Sequence, residues 1–88
     1  MKGLLGRDGL GEDEGLLIRP GNSVHTAFMR FPIDVVFLDR DVAVLRVVPG
    51  LHPWRAASCR RARSVLELPA GACTRTGLRA GDRLRLEP

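Results

Sequence analysis

The sequence predicts a mainly β domain with one short helix, either a small barrel-like fold or a rolled antiparallel or mixed sheet, occupying residues 1–88 as a single domain. Three observations carry this. First, Ile33 to Leu38 is a six-residue run rich in β-branched and aromatic side chains, too short for a typical helix and apolar on both faces. Second, Asp39-Arg40-Asp41 reads as a turn, and Val42 to Val48 returns as a second two-sided apolar strand. Third, Pro and Gly break the rest of the chain into short pieces, leaving no room for the long crossover helices of a parallel sheet.

In order, residues 1–15 carry Gly3, Gly6, Gly9, Gly11 and Gly15 among acidic residues and read as loop, with Leu4, Leu5 and Leu10 as anchors onto the core. Leu16-Leu17-Ile18 is a short strand stopped by Pro20-Gly21-Asn22. Ser23 to Phe31 is extended, with Val24, Thr26 and Phe28 on one face and His25, Ala27 and Met29 on the other. Pro32 bends the chain before Ile33. Ile33, Val35 and Phe37 then share one face, and Asp34, Val36 and Leu38 the other. Pro49-Gly50 ends the return strand, and Leu51 to Arg63 reads as a long surface loop. Ser64 to Leu68 is a strand, Ala72 to Thr76 a helix closed by Gly77, and Arg83 to Leu86 the last strand, with Leu84 and Leu86 inward.

Composition sets bounds on function. The chain has 88 residues, 44% hydrophobic and 27% charged, as in an ordinary globular domain. Its net charge is +4, and Lys2 is the sole lysine among the 14 basic residues. That skew to Arg is what a GC-rich genome produces, and the Arg residues are scattered except for Arg60-Arg61-Ala62-Arg63. Binding to nucleic acid, if any, is expected to be weak and non-specific. No apolar run approaches the roughly 20 residues of a membrane span. As written the chain reads as cytoplasmic, or as exported if a targeting segment has been removed. Cys59 and Cys73 lie at no metal-ligand spacing, so no structural metal and no cofactor are expected. They read as free thiols in the cytoplasm and as a pair worth roughly 3 kcal/mol outside it.

Several residues carry candidate chemistry. Asp34 interrupts an apolar strand face, and a buried carboxylate needs an opposite charge or several donors. Arg30, across the Pro32 bend, is the nearest partner and His25, on the preceding strand, the second, with a nearby backbone N–H as the alternative. His25 is either a general base or a strand-edge histidine. Trp54 is either a lid on the core or an exposed recognition ring. His52 reads as exposed, and Glu67 as paired with Arg46 or Arg63.

The run His25-Thr26-Ala27-Phe28-Met29-Arg30-Phe31-Pro32-Ile33-Asp34-Val35-Val36-Phe37-Leu38-Asp39 resembles the signature of a bacterial and archaeal family known as domain of unknown function 192. The resemblance continues through Gly3-Leu4-Leu5-Gly6-Arg7, Gly15-Leu16-Leu17, Pro53-Trp54-Arg55, Val65-Leu66-Glu67-Leu68-Pro69-Ala70-Gly71, Gly77-Leu78 and Gly81-Asp82, nearly the whole chain. Many members have Trp-Met-Lys-Asn-Thr where this chain has Phe28-Met29-Arg30-Phe31, and many have a preceding strand and an export signal. The resemblance implies a small β-rich, barrel-like fold and no established activity.

The leading expectation is a small monomeric module that binds a small ligand or a protein without catalysis. Its candidate surface is His25, Met29, Arg30, Asp34, Trp54, Arg55 and Glu67. The alternatives are a hydrolase-like acid–base site of His25, Asp34 and Glu67, and a weak nucleic-acid binder.

Overall fold

Ile33–Leu38, the most apolar run, forms the central strand β3, and every one of its six residues is buried. The computed structural model describes residues 15–27 and 30–84. The other described strands are β1 (Leu16–Ile18), β2 (Ser23–His25), β4 (Val44–Leu51), β5 (Ala56–Ser58) and β6 (Ser64–Pro69), and helix α1 spans Ala72–Thr76. A four-stranded sheet has the order β1-β6-β3-β4, and β2 pairs with β5 in a separate two-stranded sheet. Every pairing is antiparallel.

The alternation read for β3 divides the core in two. Val36 and Leu38 pack with Leu66, Leu68, Ala72, Cys73 and Leu84 beneath α1. Ile33, Val35 and Phe37 pack with Val65 against Val24 and Ala62 of the small-sheet layer. The large sheet is therefore sandwiched, which is why its central strand is apolar on both faces.

The sheet is not closed into a barrel. Among the described residues β1 and β4 remain its two edges, because β2 and β5 pair with each other and cover one face instead of joining the large sheet. Other differences have local causes. The return strand begins at Val44, because Asp39 Oδ1 accepts the N–H groups of Asp41 and Ala43 at 2.8 and 2.9 Å, and this turn holds Val42 at φ 57°. It runs on through Pro49 to Leu51, since an edge strand tolerates a residue without an N–H. The expected loop 51–63 contains β5, whose Ala-Ala-Ser sequence has little strand propensity of its own and is held by pairing with Ser23–His25.

β1, β6 and α1 lie where the sequence places them. Gly77, at φ 70°, closes α1, and the Leu78 N–H donates to the Cys73 carbonyl at 3.0 Å. Of the last expected strand, Arg83 forms a single bridge with Ala43 and Leu84 is buried; Arg85 and Leu86 lie outside the described residues, as do the anchors Leu4, Leu5 and Leu10. Among the described residues no helix is long and apolar enough to cross a membrane.

Candidate functional site

Asp34 has no exposed surface. Its position on β3 aims the carboxylate at the layer holding α1. Oδ2 accepts the Cys73 N–H at 2.9 Å, and Oδ1 accepts the Gly50 N–H at 2.8 Å. The first bond caps α1, whose own N-cap residue is Gly71 and supplies no side-chain acceptor. The second is available because Gly50, at φ 61°, sits where the β3–β4 register shifts. The backbone alternative for Asp34 therefore holds. Arg30 is exposed and is not its donor.

Thr26 is the second fully buried polar side chain of the strand region. It lies on the inward face with Val24, just past the end of β2. Its Oγ1 donates to the His52 carbonyl at 2.6 Å and accepts the Arg55 N–H at 2.9 Å. Its backbone N–H donates to the Arg55 carbonyl at 2.8 Å, and its carbonyl accepts the Trp54 N–H at 3.0 Å. One residue thus fixes the whole loop from His52 to Arg55.

Trp54, in that loop, has φ 63° and is 62% exposed. A bulky side chain in the left-handed region costs of order 1–3 kcal/mol and persists only where the surroundings dictate it. The Thr26 bonds do so. They turn the indole outward, so the core-lid expectation fails and the ring is at the surface. Beside it, His25, Ala27, Arg55 and Ala56 line a shallow depression of about 460 Å³.

Comparison with known proteins places the chain. The family described as DUF192, Uncharacterized ACR, matches residues 1–86. The chain belongs to this family. A UPF0127 protein of Pyrococcus furiosus is 40% identical over 63 residues, which is 70% of this chain and 53% of that relative. The DUF192 chain thus spans about half the length of the curated relative it matches. Two crystal structures share the fold. One, from Sinorhizobium meliloti 1021 and described as a candidate transcription regulator, has TM-score 0.76 and 26% identity over 96% of this chain and 70% of its own. The other, a protein of unknown function from Novosphingobium aromaticivorans DSM 12444, has TM-score 0.70 and 27% identity over 96% of this chain and 65% of its own.

The DUF192 chain separates the candidate residues into distinct places. His25, Trp54 and Arg55 come together at the loop platform. Asp34 is enclosed beneath α1. Glu67 pairs in register with Val35 and Leu16, on the sheet face opposite Asp34. It lines a cleft of about 680 Å³ with Leu16, Phe31, Ile33 and Pro69. The expected ion pair with Arg46 or Arg63 is absent: no described residue pairs with Glu67, and the Arg46 Nη1 donates instead to the Ser58 carbonyl at 2.7 Å. Burial pushes the Glu67 pKa above its ordinary value. Arg30 is exposed, and Met29 lies outside the described residues.

The hydrolase-like grouping does not assemble. Asp34 and Glu67 lie on opposite faces of one sheet, His25 is exposed on another, and both Asp34 oxygens already accept backbone donors. Cys73 is a free thiol beneath the sheet, pushed up to about 12 by burial and then by the Asp34 charge and hydrogen bond, so it is unsuited to act as a thiolate. Nothing in this arrangement or among the family relatives supports catalysis. Among the described residues no group of His, Cys, Asp and Glu could hold a metal ion.

Thr26 is the residue that sequence reading passed over. The signal was present, since a hydroxyl on an inward strand face must find partners, but the partners lie 26 and 29 positions away in a loop.

Proposed function

We propose that this DUF192 chain is a binding module without catalysis, and that its recognition element is Trp54 on the loop pinned by Thr26. The carrying observation is the exposed indole held at positive φ by a buried side chain. Most exposed aromatic rings sit on ordinary backbone. Here the fold invests a buried threonine and a strained residue to keep the largest side chain in solvent. Trp and Arg dominate the energetics of protein interfaces, and a rigid anchor loses little entropy on binding. His25 and Arg55 supply polar contacts around it.

The test is selection of a displayed random-peptide library on the wild-type protein and on Trp54→Ala. Peptides that bind the first and not the second are expected. Selection giving no binder that depends on Trp54 would refute the reading.

A second reading is supported by Glu67, a half-buried carboxylate without a described partner in an otherwise apolar cleft beside the exposed Phe31. That cleft suits a small ligand with an apolar body. Library binders lost in Phe31→Ala and retained in Trp54→Ala would favour it.

A further inference from the structure

Charge is segregated in this fold. Residues 15–33 and 42–66 contain no Asp or Glu. These two stretches build the whole β2–β5 layer and the loop that carries Trp54. Of the ten acidic residues, Asp34 is buried, Asp39, Asp41, Glu67 and Asp82 lie on other described segments, and Asp8, Glu12, Asp13, Glu14 and Glu87 lie outside the described residues. The layer's outer face carries Ser23, Ala56 and Ser58, all small and exposed, with His25 among them. At one end of this flat face stand Trp54 and Arg55. At the other stand Arg60, Arg61 and Arg63, all exposed. Arg46 straps the layer to β4 through its bond to the Ser58 carbonyl. Among the described residues these two stretches carry no carboxylate of their own, so the layer's own side chains give it a positive field around the exposed indole.

We propose that this layer docks an acidic polypeptide segment, with an apolar side chain of the partner against Trp54 and its carboxylates against Arg55, Arg60 and Arg61. This rests on the reading of Trp54 as the recognition element and adds the partner's chemistry. Small side chains on the sheet face let an extended chain approach closely, and the two arginine groups bracket it. Arg forks suit carboxylates, which they bind in pairs of hydrogen bonds. A single-stranded nucleic acid has the same charge but relies on several rings for base stacking. The described part of this layer offers one indole and, beside it, only the smaller imidazole of His25.

The probe is a fluorescein-labelled peptide of Glu and Asp repeats around a central Phe, titrated with the full chain and followed by anisotropy. A labelled thymidine oligonucleotide of equal charge is titrated in parallel. Arg60→Glu with Arg61→Glu is expected to weaken the peptide at least about tenfold. The matched reversal Arg79→Glu with Arg83→Glu, on the α1 side, should change it less than about twofold. Circular dichroism confirms that both variants are folded. Equal weakening by the two reversals, no measurable peptide binding, or tighter binding of the oligonucleotide than of the peptide would each overturn the proposal. If displayed peptides depend on Trp54 but are not acidic, the partner assignment fails while the Trp54 reading stands. If the acidic peptide binds and Trp54→Ala leaves it unchanged, the Trp54 reading fails and the proposal with it.

Discussion

Asp34→Ala is the most informative stability variant, because the carboxylate joins three elements at once. It removes the acceptor from the buried Cys73 N–H and from the part-buried Gly50 N–H. An unsatisfied buried donor costs roughly 1–3 kcal/mol, and a bond to a charged group contributes about 1.5–3. Solvent can reach Gly50 once the side chain is gone, so the full sum is not lost. The expected cost is about 2–4 kcal/mol, a large share of the roughly 4–13 kcal/mol available to a domain of this size. Asp34→Asn does not rescue it. Its oxygen accepts one N–H, while its amide hydrogens face the other donor. Urea unfolding is the assay: the midpoint should fall at constant slope, and the melting temperature should drop by more than about 8 °C. Arg30→Ala should stay within about 0.5 kcal/mol of wild type. A wild-type midpoint for Asp34→Ala, or an equal loss in Arg30→Ala, would refute the reasoning.

Three other outcomes follow from the structure. Thr26→Val keeps the shape but strands the Arg55 N–H and the His52 carbonyl, so it should cost about 1–3 kcal/mol in the same urea assay. A thiol reagent on the native protein should modify the partly exposed Cys59 first and reach Cys73 on unfolding, because burial and the Asp34 charge hold that thiol protonated; equal native rates would contradict this. Glu67 is raised in the folded state, so folding favours its protonated form. The resulting cost is absent below the ordinary carboxylate range, appears as pH rises through the unfolded value, and is complete above the raised folded value. Glu67→Gln should therefore gain stability at neutral pH relative to acid pH. An equal change at both would show that the charge is not responsible.

The sequence made some of this legible because the information was local. Ile33–Leu38 announced itself by composition, and Ala72–Thr76 by the glycine that closes it. Asp34 stood out as a carboxylate on an apolar face, which burial alone required to be satisfied. What was not local was missed. That a backbone N–H could satisfy Asp34 was legible, but not that the donors belong to Gly50 and Cys73, 16 and 39 residues away. β5 exists by pairing rather than propensity, so Ala-Ala-Ser read as loop. The outward turn of Trp54 depends on a left-handed backbone imposed by Thr26 from just past the end of β2, and nothing in Pro53-Trp54-Arg55 itself distinguishes a lid from an anchor. The open sheet also had no local signature, since strand lengths alone do not say which edges meet.

Trp54 is the sole tryptophan, so its fluorescence reports directly on whether an exposed ring is held rigidly by a buried clamp. The decisive measurement is time-resolved anisotropy with acrylamide quenching, on wild type and on Thr26→Val. The wild-type emission should be readily quenched, as an exposed indole must be, while its anisotropy decays mainly with the tumbling of the whole molecule. Thr26→Val should remain quenchable and gain a fast local component. A quencher-protected indole, or a dominant fast component already present in the wild type, would contradict a pinned recognition ring.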